Sequence, residues 1–88
     1  MNLSKEVLDK YVGRYQLPDG STGEIKQENN QLFLYVPGNE KQPLFAASER
    51  EFYSNAQFMN INFKYDGNNK VTGAEVELFG GSLTVKKL

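Results

Sequence analysis

The sequence predicts a mainly β domain: a small eight-stranded antiparallel up-and-down barrel, preceded by a short N-terminal helix. Three observations carry the prediction. Short stretches of apolar–polar alternation recur along the chain, most clearly over Met59–Tyr65, where Ile61, Phe63 and Tyr65 face one way and Asn60, Asn62 and Lys64 the other. Clusters of glycine, proline, asparagine and aspartate separate these stretches at intervals of about 8 to 12 residues, the spacing of β-meanders. Finally, 88 residues allow a single small domain, 1–88. So many short strands in so short a chain lose their exposed edges only by closing on themselves.

Element by element, Ser4 is placed to cap a helix over Lys5–Tyr11, Leu3 to staple against Leu8, and Gly13 to stop it. Val7, Leu8 and Tyr11 share one apolar face. Tyr15 and Leu17 alternate before the turn Pro18-Asp19-Gly20-Ser21, in which proline presets one backbone angle and glycine tolerates a positive one. Thr22–Glu28 reads as a strand and Asn29-Asn30 as a tight hairpin turn, because asparagine enters the left-handed region readily. Gln31–Val36 is apolar on both faces, with Leu32, Leu34 and Val36 on one and Phe33 and Tyr35 on the other. The second face needs a cover, and the opening helix is expected to supply it.

After Pro37-Gly38-Asn39-Glu40 comes Gln42–Ala47, whose Pro43 suits a strand start or edge. Glu51–Ser54, Met59–Tyr65, a long strand containing Ala74, Val76 and Leu78, and Ser82–Lys87 complete the eight. Asp66–Lys70 and Gly80-Gly81 make the last two turns.

Composition narrows the chemistry. The chain has neither histidine nor cysteine, which removes the commonest general base, nucleophile and metal ligand, and any disulfide. A net charge of -1 gives no field that favours phosphate backbones or anionic membranes, so nucleic acid is not an expected partner. The strand aromatics Phe33, Tyr35, Tyr53, Phe58, Phe63 and Tyr65 lack the interleaved basic groove that base stacking requires, and core filling is their expected use. No apolar stretch is long enough for a signal-peptide core or a membrane span.

Tyr11-Val12-Gly13-Arg14-Tyr15 leading to Leu17-Pro18-Asp19-Gly20, with Gln31-Leu32-Phe33, Pro43-Leu44-Phe45, Ser48-Glu49-Arg50-Glu51-Phe52, Phe63 and Val71-Thr72-Gly73 in order, resembles the DUF3471 family nearly end to end. The resemblance implies a lipocalin-like barrel of undefined activity. Such barrels typically form the C-terminal domain of bacterial proteins related to serine β-lactamases and peptidases, and sometimes of tetratricopeptide-repeat proteins. It further implies an excised domain, an artificial start at Met1 and a periplasmic or extracytoplasmic setting. Where many members carry a Gln-Gly-Gly turn this chain has Phe79-Gly80-Gly81, which removes any polar role for that turn.

No hydrolase centre is legible. Serine β-lactamase chemistry needs Ser-x-x-Lys so that lysine lies one helical turn from the nucleophile, and no serine here has lysine three positions later. Tyr53-Ser54-Asn55 matches the Tyr-x-Asn element of such enzymes but reads better as a strand aromatic followed by turn residues. Asp66-Gly67-Asn68 opens like a calcium loop, yet Lys70 stands at a ligand position and Val71 replaces the required glycine. Glu49 with Glu51, and Glu75 with Glu77, read as solvated strand positions rather than acid–base pairs. Asn2-Leu3-Ser4 is a formal glycosylation sequon, which the bacterial resemblance makes irrelevant. The expectation is no catalytic residue, no cofactor and no metal site.

Two functions from different classes are weighed. In the favoured one the domain is a non-catalytic structural and interaction module, packing on its parent protein or on itself through outward residues such as Phe33, Tyr35 or Phe79. In the alternative a lumen lined by some of Leu17, Ile25, Leu34, Phe45, Phe52, Ile61, Phe63, Val76 and Leu83 holds a small apolar or peptide-like ligand. Strands of about five to seven residues make a barrel short enough to be plugged by its own side chains, which favours the module.

Overall fold

The computed structural model describes residues 3–38, 40–54, 59–78 and 80–88. One helix, α1 (Lys5–Asp9), precedes β1 (Gly13–Gln16), β2 (Thr22–Glu28), β3 (Gln31–Tyr35), β4 (Gln42–Ala46), β5 (Glu51–Ser54), β6 (Met59–Tyr65), β7 (Val71–Leu78) and β8 (Gly81–Lys87). The strands form a closed barrel in sequence order, every neighbouring pair antiparallel. Closure falls to β1 and β8, which pair Tyr15 with Lys87 and Gln16 with Lys86; the Leu88 amide donates to the Arg14 carbonyl at 2.8 Å. The β7–β8 seam runs from Gly73↔Lys86 to Leu78↔Gly81.

The turns follow from their residues. Asn29 and Asn30 both take positive φ, 52° and 62°, which a two-residue hairpin connection of the primed type requires. Between β6 and β7 the Asp66 carboxylate accepts the amides of Asn68 and Lys70 at 2.8 and 2.9 Å, so that oxygen is committed to the turn. Asp19 does the same for the Ser21 amide and hydroxyl between β1 and β2.

The helix departs from expectation in length and in place. The Ser4 hydroxyl accepts from the Val7 amide, but regular helix ends at Asp9, and the amides of Lys10 and Tyr11 close tighter turns onto Val7 and Leu8. This tightening swings Tyr11 off the helix and into the barrel. The helix therefore does not cover the outer face of β3; it stops one end of the barrel, where Leu8 and Tyr11 join the core and the Gln27 amide reaches Asp9. The outer rings of β3 are covered by lysines instead. Lys41 Nζ lies 4.6 Å from the Phe33 ring centroid and Lys26 Nζ 4.9 Å from that of Tyr35, while Glu28 accepts from both Tyr35 and Lys41.

The largest rings of the core gather at the helix end. The largest fully buried side chains are Tyr11, Leu32, Leu44, Phe52 and Phe63. Tyr11 stacks on Phe63 at 4.1 Å between centroids and meets Phe52 edge-on at 5.4 Å, with Phe52 edge-on to Phe63 in turn. The Tyr11 hydroxyl bonds the Glu49 carbonyl and the Tyr65 hydroxyl, and the Tyr15 hydroxyl donates to the Tyr11 carbonyl at 2.8 Å. Burial, with the Tyr65 hydrogen bond second, raises the Tyr11 phenol well above its ordinary value of 10.0; burial raises Tyr15 likewise.

Candidate functional site

Away from the plug the barrel is not fully filled. Between Phe63 and the strand ends remote from α1 lies an apolar cavity of about 210 Å³, partly open at the end where Leu17, Val36 and Leu78 stand. Each wall position follows from strand alternation. In β2 the inward residues are Gly23 and Ile25, in β6 Met59, Ile61 and Phe63, and in β7 Ala74 and Val76. The space exists because small residues occupy inward positions. An ideal Cβ on Gly23 would stand in ordinary van der Waals contact with the Tyr35 carbonyl oxygen at 3.5 Å and with Leu17 Cδ1 and Leu34 Cδ1 at 3.8 Å, so a larger side chain there would push into the cavity. Ala74, 1% exposed, plays the same part on β7.

Among the described residues the wall carries one side-chain amide, that of Gln42. Gln42 opens β4 on an inward position beside Leu34, 8% exposed, and its Oε1 accepts from the Ser54 hydroxyl at 3.2 Å. Phe63 forms the floor: one side of its ring stacks on Tyr11, and the ring also borders the cavity together with Tyr15.

Of the residues the sequence proposed for a lumen, Leu17, Ile25, Leu34, Ile61, Phe63, Val76 and Leu83 border the cavity. Phe45 and Phe52 do not. The alternation of β4 turns Gln42, Leu44 and Ala46 inward and Phe45 outward, where it meets Tyr53 at 5.6 Å between centroids. Phe52 points inward but sits in the plug beside Tyr11. Among the residues proposed for an interface, Phe33 and Tyr35 lie half-buried on the outer surface of β3 under their lysines. Phe79 lies outside the described residues, as do Phe58 and Asn55.

The lumen candidates from the sequence left out eight lining residues, among them Gly23, Gln42, Met59 and Ala74. Alternation alone would have placed the last two inside, and an inward glycine beside bulky neighbours is the signal for a void. Gln42 had no such signal, because a polar residue next to Pro43 reads as a strand edge.

Glu51, Glu75 and Glu77 border one surface depression over β5, β6 and β7. Glu75 accepts from the Thr84 hydroxyl at 2.7 Å on the outer surface, and among the described residues no group of three or more acidic side chains could hold a metal ion. No described helix is long and apolar enough to cross a membrane.

A closed antiparallel barrel with one end stopped by its own N-terminal segment and an apolar hollow at the other defines the class of this domain. The profile of DUF3471, a domain of unknown function, matches residues 2–87, and the chain belongs to that family. Penicillin-binding protein 4* of Bacillus subtilis (strain 168) is 33% identical over 57 residues, a stretch that covers 65% of this chain and 13% of that protein. The chain thus spans only a small part of its relative's length. No solved structure matches the chain significantly.

Proposed function

We propose that this barrel is a non-catalytic accessory domain of a longer protein whose enzymatic part resembles a penicillin-binding protein. What supports this reading above all is the share of the match: 65% of the barrel corresponds to 13% of the relative, so the barrel is one small unit of a much larger protein there. The architecture is compatible with attachment at one end. The helix and Leu88, whose amide pairs with Arg14 beside Gly13, lie at the same end of the barrel. A domain joined on either side would sit there and leave the hollow end free. In such a parent the half-covered rings of Phe33 and Tyr35 offer apolar area for a packing contact once Lys41 and Lys26 swing aside.

The test is acylation by a fluorescent penicillin. The barrel alone is expected to take no covalent label, and a parent protein from which the barrel has been deleted is expected to keep its labelling. A labelled serine in the barrel alone would overturn the reading.

A further inference from the structure

The hollow half of the barrel has no part in an accessory packing role, and its chemistry is specific enough to name an occupant. We propose that it is a binding site for a medium-chain acyl group, with the tail on the Phe63 floor and the acyl carbonyl at the Gln42 side-chain amide.

Size sets the chain length. A cavity of about 150 Å³ lined by aliphatic and aromatic side chains accepts benzene, a six-carbon molecule. In proportion, 210 Å³ accommodates about eight carbons.

Lining sets the character of the tail. Aliphatic side chains such as Ile25, Ile61 and Val76 form the wall and an aromatic ring the floor, so a hydrocarbon is stabilised there and a charged group is not. Shape sets its direction, because Tyr11 and Phe52 close the helix end and the opening lies at Leu17, Val36 and Leu78. The tail must enter first.

Gln42 fixes the head. It stands at the first residue of β4, at the level of the opening, so it lies above the tail and below bulk water. The hydroxyl of Ser54, 2% exposed, donates to Oε1 and thereby directs Nε2, a donor, toward other acceptors; a carbonyl oxygen is the complement. Among the described residues no buried side-chain nitrogen or oxygen lacks a partner, so a ligand acceptor at Nε2 takes the place of water at the opening. The head group beyond the carbonyl remains in water and is not selected by the wall.

The experiment is titration of the intact chain with the sodium salts of butanoic, hexanoic, octanoic, decanoic and dodecanoic acids, read by methyl chemical shifts and by calorimetry. Affinity is expected to rise about fourfold per added methylene up to about eight carbons and then to level off, because further methylenes stay in water. The responding methyls should be those of Ile25, Ile61 and Val76. Ala74→Leu, which fills the hollow, should abolish octanoate binding while the melting temperature stays equal or rises. Gln42→Leu should weaken octanoate about five- to tenfold without changing the chain-length trend. Failure of octanoate to bind, affinity that keeps rising evenly to dodecanoate, or full binding by a folded Ala74→Leu variant would each overturn the proposal. Should Ala74→Leu fail to fold, Gly23→Val tests the same volume from β2, with the same expected loss.

Discussion

Removing the ring that stops the barrel should be the most damaging single change available. Tyr11 is fully buried, stacks on Phe63, meets Phe52 edge-on and bonds Glu49 and Tyr65 through its hydroxyl. Truncation to alanine loses the ring's burial and opens a void that the β-barrel around it cannot collapse to fill, a cost of about 3 to 5 kcal/mol. A domain of this length has about 4 to 13 kcal/mol of total stability, so the loss is a large share of it. Tyr11→Phe keeps the ring and removes only the hydroxyl. The Glu49 carbonyl then lacks that donor, at about 1 to 2 kcal/mol. With about 4 to 8 °C per kcal/mol for a domain of this size, Tyr11→Phe should melt about 5 to 15 °C below the parent. Tyr11→Ala should melt at least about 12 °C below it, or be unfolded at room temperature. Thermal melts followed by circular dichroism, with urea titrations to check that the slope is unchanged, make the measurement. If Tyr11→Ala melted within about 3 °C of the parent, the helix end would not be held by this ring and the reasoning about a stopped barrel would fail.

Gly73→Ala should destabilise by about 1 to 3 kcal/mol, because a Cβ there would stand 2.3 Å from the Val85 carbonyl oxygen and force β7 off β8; a melting temperature within about 2 °C of the parent would contradict this close approach. Tyr11 and Tyr15 should remain un-ionised in the folded state well above pH 10. Their phenols are raised above the ordinary value of 10.0, so the stability they contribute is complete below pH 10 and is lost as pH rises beyond it; spectrophotometric titration should show their ionisation coinciding with unfolding. At the acid end Asp66 is held below its ordinary 3.8 by the Lys70 and Asn68 amides. Stability should therefore fall as pH drops below about 3.8, and Asp66→Asn should lessen that fall in acid denaturation curves. Phe33→Ser should leave the fold intact and weaken association with a parent domain in pull-down or calorimetric assays; loss of folding would make Phe33 part of the core.

Much of the barrel was legible because its signals are local. The alternation at Met59–Tyr65, the paired asparagines at 29 and 30 and the Ser4 cap each act within a few residues, and each stands where the chain predicted it. The place of the helix was not legible, since an apolar outer face on β3 suggested a cover and nothing local said that Lys26 and Lys41 would provide it. The interior was legible only in part, for a related reason. Alternation separates inside from outside but does not say at which height along the axis a side chain ends, so Phe52 in the plug and Ile61 on the cavity wall look alike in the sequence. Phe45 stood among the lumen candidates, but β4 turns Leu44 inward and Phe45 outward, and one step along a strand is enough to turn a side chain from one face to the other. Short strands suggested a barrel filled throughout, and a cavity of about 210 Å³ remains instead, bordered by the inward Gly23 and Ala74.

The division of the interior is best tested by a crystal structure under xenon pressure, since xenon enters dry apolar voids and reports their position directly. Density for xenon is expected beyond the Phe63 ring, among Ile25, Ile61 and Val76, with none between Phe63 and the helix. An interior filled by side chains on both sides of Phe63, or xenon lodged beside Tyr11, would contradict a barrel that is stopped at one end and hollow at the other.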